Sequence, residues 1–232
     1  DQAYLGAVVG RYANRIAKGQ FALNDVNYQV DVNQAGNCLH GGADGFNRRV
    51  WQVQELDDVT QPSLKLTLVS EDGDQGFPGQ LTVNVTYTLA PSGLRISYQA
   101  HTTQDTVFNP TQHTYFNLAG HDSGSVESHK VQILASRYTP TDENAIPLGE
   151  RVDVAGSPFD LRELTTLKGP LQSSHEQIKL GNGFDHNWCL DAYQSDMESP
   201  ELVAKALDTA SGRTLSVLTT MPGMQLYTAN YV

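Results

Sequence analysis

The run "LTVNVTYTL", residues 81–89, decides the fold. Leu81, Val83, Val85, Tyr87 and Leu89 fall on one side of an extended chain, and Thr82, Asn84, Thr86 and Thr88 on the other, because successive side chains of a strand point to opposite faces. This period of two, rich in β-branched residues, predicts a half-buried antiparallel strand. "APSG" (90–93) then turns the chain into "LRISYQA" (94–100), where Leu94, Ile96, Tyr98 and Ala100 keep the phase. The two runs predict a hairpin with a short loop.

Working outward, similar runs lie at "VNYQVDV" (26–32), "WQVQEL" (51–56), "LKLTLV" (64–69), "ELVAKAL" (201–207) and "TLSVLTT" (214–220). Many short strands separated by turn residues predict an all-β sandwich or barrel. Helical periodicity is scarce: "LRELTTLKGPL" (161–171) predicts one short helix, which Gly169 and Pro170 should end early. Long polar connections at 71–80, 117–129 and 140–150 are expected to carry binding groups on the strand scaffold. There is no fixed-period repeat and no linker, so one domain over residues 1–232 is expected.

With 39% hydrophobic and 18% charged residues, the composition is that of a packed globular chain. Fifteen Lys and Arg against 26 Asp and Glu give a net charge of −11, which repels phosphate backbones and anionic lipid heads. Nucleic acid and membrane are therefore not expected as partners, and no apolar run reaches the roughly 18 residues of a membrane span. Cys38 and Cys189 make neither a disulfide framework nor a metal cluster and point to a reducing, cytoplasmic setting.

Chemistry concentrates in four stretches. "NPTQHTYFNLAG" (109–120) sets His113 among Asn109, Thr111, Thr114, Tyr115 and Asn117. A lone histidine more often satisfies a local hydrogen bond than performs catalysis, but neutral donors and acceptors around it suit a polyhydroxylated ligand better than a metal or a phosphate. "NCLHGG" (37–42) follows His40 with two glycines that permit positive φ or close backbone approach. The plain alternative is a turn histidine; a Cys38–His40 nucleophilic pair lacks any visible orienting third group. "GRYANRIAKG" (10–19) offers Asn14 and Arg15 as ligand donors, unless Arg11, Arg15 and Lys18 are ordinary surface cations. In "GNGFDHNWCL" (181–190), adjacent Asp185 and His186 point to opposite faces of a strand, and Asp185 is the better candidate to accept hydrogen bonds from vicinal diols; an Asx-turn is its structural alternative. A zinc site from His40, His113, His186 and an acid lacks HExxH or CxxC spacing, so no metal is expected.

In order along the chain, "GRYANRIAKG", "NCLHGG" with "GFNRRVW", "DGDQGFPG", "NPTQHTYFNLAG", "TPTDENAIPLG", "SPFDLR", "GFDHNW" and "TTMPGMQLYTANY" resemble the aldose 1-epimerase (galactose mutarotase) family. The resemblance implies a β-supersandwich with an open sugar cleft, a small aldose as partner, and interconversion of the α and β anomers of galactose or glucose without metal or organic cofactor. It implies that His113 is the general acid that protonates the ring oxygen O5, and that His40 and Arg15 polarise the ring-oxygen side. By the same resemblance Asn14 assists, Asp185 binds sugar hydroxyls and Gln225 holds the substrate. Phe77 or Tyr115 is the expected aromatic wall. The chain is expected to act as a monomer or homodimer.

The family's base is a glutamate beyond the "QLYTANY" strand, near which this sequence stops at Val232. None of Glu127, Glu143, Glu150, Glu163, Glu176, Glu198 or Glu201 falls in the matching motif, so the expectation is a domain lacking outer strands at both ends. Two alternatives follow: a sugar-binding relative without a base, and a hexose 6-phosphate epimerase in which Arg11, Arg15, Arg48 and Arg49 hold the phosphate.

Overall fold

The structure, a computed structural model, describes residues 3–56 and 61–232. The chain folds as two compact units, residues 1–114 and 115–232, each built of strands.

In the first unit the strands are β1 (Ala7–Val9), β2 (Arg15–Ile16), β3 (Gln20–Leu23), β4 (Val26–Gln29), β5 (Cys38–Leu39), β6 (Gln52–Leu56), β7 (Ser63–Ser70), β8 (Leu81–Ala90), β9 (Gly93–Thr102) and β10 (Thr111–His113). β6-β7-β8-β9 form a four-stranded antiparallel sheet, and β1-β10, β2-β5 and β3-β4 form two-stranded ladders. The hairpin expected at 81–100 is β8 and β9, in register from Leu81↔Thr102 to Ala90↔Gly93 across a two-residue turn. Leu81, Val83 and Val85 are buried with Phe46 and Leu68, each worth about 1.5–3 kcal/mol of burial. The alternation outlives the core, because Leu89 and its cross-strand partner Leu94 are 57% and 59% exposed at the hairpin tip.

Two residues of this unit correct the sequence reading. Arg11 is not a surface cation: it is 2% exposed, and its guanidinium donates to Ser70 Oγ, Thr106 Oγ1 and the carbonyls of Pro78, Ser70 and Glu71. A buried guanidinium is tolerated when its donors are all met, and burial still lowers its pKa. Phe77 is not an aromatic wall: it lies 1% exposed in a core cluster with Val30 and Cys38, beneath Arg11.

In the second unit the strands are β11 (Lys130–Ile133), β12 (Arg137–Thr139), β13 (Val152–Asp153), β14 (Thr165–Thr166), β15 (Asp185–Cys189), β16 (Glu201–Leu207), β17 (Thr214–Thr219) and β18 (Gly223–Tyr227), with helices α1 (Lys168–Leu171) and α2 (Glu176–Gly181). They make two four-stranded sheets, β14-β11-β16-β17 and β13-β12-β15-β18. Ile133 and Val203 from one sheet share a single core with Tyr138 and Trp188 from the other. Phe159 is its hub: it stacks on Tyr138 at 4.0 Å and accepts the Trp188 indole N–H at its carbonyl.

The helix expected over 161–171 shrinks to four residues, since Thr165 and Thr166 pair with β11 instead. Gly169 and Pro170 do not end it but sit inside it. A proline in the first turn costs little because the N–H it lacks has no intrahelical acceptor there. α2, capped by His175 accepting from the Gln177 N–H, is not apparent from periodicity. Its six residues are too few to show a face.

Candidate functional site

The first unit brings His113, His40, Asn14 and Arg15 into one neighbourhood. His113 ends β10, opposite Ala7 of β1, and its carbonyl accepts the Gly6 N–H. Asn14 and His40 flank the ladder that pairs Arg15 with Leu39. They also clasp each other: His40 N–H donates to the Asn14 carbonyl, and Asn14 N–H donates to His40 Nδ1, both at 3.0 Å. Each residue takes a left-handed backbone, φ 61° at Asn14 and 52° at His40, a conformation that Asn and His tolerate better than most. Gly41 follows at φ +90°, where a Cβ would stand 1.9 Å from the Gly10 carbonyl oxygen. That position excludes any side chain.

The clasp fixes the chemistry of His40. A backbone N–H can only donate, so Nδ1 is the acceptor and the ring proton sits on Nε2. Burial, with smaller contributions from His113 and Arg15, pushes its pKa down to about 3. His40 is thus a neutral N–H donor across the physiological range rather than an acid or base. Its ring meets that of His113 edge-on at 5.2 Å, and Tyr4 packs against both, at 4.7 Å from His40 and 5.8 Å from His113. Arg15 donates to Gln34 Oε1 and Asn14 Oδ1, which aims its guanidinium. The neighbouring Cys38 is no nucleophile: it is buried, and burial pushes its thiol up to about 11.

The second unit holds a different group. Asp185 opens β15, Gln225 lies on β18, and Gln225 Nε2 donates to Asp185 Oδ1 at 2.8 Å. Tyr227 is the register partner of Asp185, and its ring meets Tyr115 at 5.9 Å. Burial first, then Tyr227 and Asp185, push the Tyr115 phenol up to about 12, so it remains a neutral hydroxyl. His186 points the other way, into the core, where Nδ1 accepts the Asp185 N–H and Nε2 bonds Gln177 Oε1. Both ring nitrogens are engaged there, and burial lowers its pKa to about 4.

Comparison with known proteins gives the family. The family model described as aldose 1-epimerase matches residues 1–232. This chain belongs to the aldose 1-epimerase family. It is 44% identical to the galactose mutarotase of Rattus norvegicus over 231 residues, covering all of this chain and 64% of the rat protein. It is 37% identical to the aldose 1-epimerase of Escherichia coli K12, covering 65% of that protein. The chain thus spans slightly less than two thirds of these relatives. Its fold matches that of galactose 1-epimerase from Lactobacillus acidophilus with a TM-score of 0.87, at 32% identity and over 66% of that chain, as the all-β expectation required.

Sequence reasoning misses Tyr4 and Tyr227. For Tyr227 a signal exists, since it shares a strand face with Gln225 two residues before it. For Tyr4 there is none, because it precedes the first strand and meets His113 beside the β1–β10 pairing and His40 just after β5.

Proposed function

We propose that this chain carries the acid side and the sugar-holding groups of an aldose 1-epimerase acting on galactose- or glucose-type hexoses. The observation that carries the reading is the His40–His113 ring pair, with His40 locked by Asn14 as a neutral Nε2–H donor. Opening a pyranose needs a proton to reach O5 as another leaves O1. His113 supplies the first, while His40 and Arg15 direct N–H groups to the ring-oxygen side. Asp185 accepts hydrogen bonds from sugar hydroxyls, steadied by Gln225, and Tyr115 offers an aromatic surface with a neutral hydroxyl. The family resemblance assigns the proton leaving O1 to a glutamate C-terminal to the β18 motif. Rotation about C1–C2 in the open aldehyde and reclosure then give either anomer.

The phosphate-sugar alternative loses two of its four cations. Arg11 is consumed in the core, and Arg49 is paired with Asp44 and Asp74. Polarimetry of freshly dissolved α-D-galactose in low-phosphate buffer, with the full-length protein, tests the proposal. Acceleration by the full-length protein that does not extend to galactose 6-phosphate is expected. A folded full-length protein that binds galactose and leaves its mutarotation unchanged would reduce the chain to a sugar-binding relative.

A further inference from the structure

Tyr4 lies outside every motif in the sequence, yet it is the third member of the ring cluster. It meets His40 at 70° and 4.7 Å and His113 at 31° and 5.8 Å, while the two imidazoles meet each other at 89° and 5.2 Å. Each ring therefore braces the other two. Its backbone is tied to the same place: Tyr4 takes φ 56°, its carbonyl accepts the Ala7 N–H, and Ala7 is the register partner of His113. The Gly6 N–H closes the turn onto the His113 carbonyl. Ring packing and backbone bonds together couple the Tyr4 turn to the placement of His113.

We propose that Tyr4 is a positioning residue for the epimerase chemistry, its ring holding the two imidazoles edge-to-face and covering part of His40 from water. The proposal deepens the proposed function and rests on it for its catalytic consequence. The physical ground is that aromatic edge-to-face packing has a preferred geometry and that a half-buried imidazole held neutral by desolvation depends on what covers it. Burial is the largest cause of the low His40 pKa, and Tyr4 is the aromatic ring nearest to His40 among the described residues. It is the ring, rather than the phenol, that carries the role.

The test uses full-length protein with Tyr4→Ala, Tyr4→Leu and Tyr4→Phe, each checked for cooperative unfolding. The first readout is ¹⁵N NMR of the His40 imidazole. In Tyr4→Ala and Tyr4→Leu its titration midpoint should rise by one pH unit or more from about 3, and Tyr4→Phe should restore it. The second is polarimetry: Tyr4→Ala should lower kcat tenfold or more with KM within threefold, and Tyr4→Phe should recover most of kcat. His40 resonances unmoved in Tyr4→Ala would overturn the proposal whatever the activity. Equal losses in Tyr4→Phe and Tyr4→Ala would overturn it by assigning the effect to the hydroxyl. If wild-type protein showed no mutarotation while the His40 titration still moved, the functional reading would fail and the positioning role would stand.

Discussion

The ring cluster of residues 1–114 and the carboxylate–amide pair of residues 115–232 are built in opposite ways. Asn14, His40 and Gly41 hold the first through left-handed backbone and a reciprocal pair of hydrogen bonds, leaving His40 half-buried and uncharged. Asp185 and Gln225 sit on regular strands two registers apart, and the amide is exposed. Aiming a neutral N–H beside the acid demands a tautomer and an angle, which desolvation and a constrained backbone can fix. Holding hydroxyls demands a charge and access to solvent, which a strand face supplies without strain.

The contrast breaks most visibly at the glycines beside each group. Gly41→Ala places a Cβ 1.9 Å from a backbone oxygen and should cost more than about 4 kcal/mol, the range reached only by gross steric conflict. Gly183→Ala, whose Cβ meets the Asn230 side-chain oxygen at 2.4 Å, should cost about 2 kcal/mol, because a side chain can move and a main chain cannot. Urea unfolding of the two variants compares them directly. A Gly41→Ala protein as stable as Gly183→Ala would remove the case for a backbone-fixed His40.

Acid should weaken the fold through two histidines that folding holds neutral, the buried His186 and the half-buried His40. His186 has a folded pKa of about 4, below the ordinary value of 6.5, so on acidification the unfolded chain binds its proton first. Its contribution is complete above pH 6.5, falls between pH 6.5 and 4, and amounts to about 3 kcal/mol. His40 adds a loss of the same sign extending to about pH 3. Denaturant melts at about pH 7 and about pH 4 should show the loss, and His186→Gln should flatten its share. A wild-type stability that holds constant across that interval would contradict both neutral histidines.

On the strand-borne side the effects should be smaller. Gln225→Ala removes the amide that steadies Asp185 and should raise KM for galactose by about three- to tenfold with kcat little changed, as expected for loss of about 1 kcal/mol of ground-state hydrogen bonding. Leu89→Thr, at the exposed hairpin tip, should shift stability by no more than about 0.5 kcal/mol; a larger loss would mean that the tip is covered.

Periodicity makes the strands legible, and Glu201–Leu207 matches its expected run residue for residue. It fails where long-range packing decides. Nothing local distinguishes Arg11, spent on partners some sixty residues away, from exposed Arg48. Nor does composition show that Thr165 and Thr166 leave a helical pattern to pair with β11. At the site, motif order points to His113, His40, Asn14, Arg15, Asp185 and Gln225, and the structure gathers them into two groups. Tyr4 becomes visible only once β1 lies beside β10.

The most direct test of the division of labour is one polarimetric assay of His113→Asn and Asp185→Asn in the full-length protein, resolving kcat from KM. The account predicts that His113→Asn lowers kcat by about 10²- to 10⁴-fold with KM nearly unchanged, and that Asp185→Asn acts chiefly by raising KM. Near-normal kcat in a folded His113→Asn protein would contradict it.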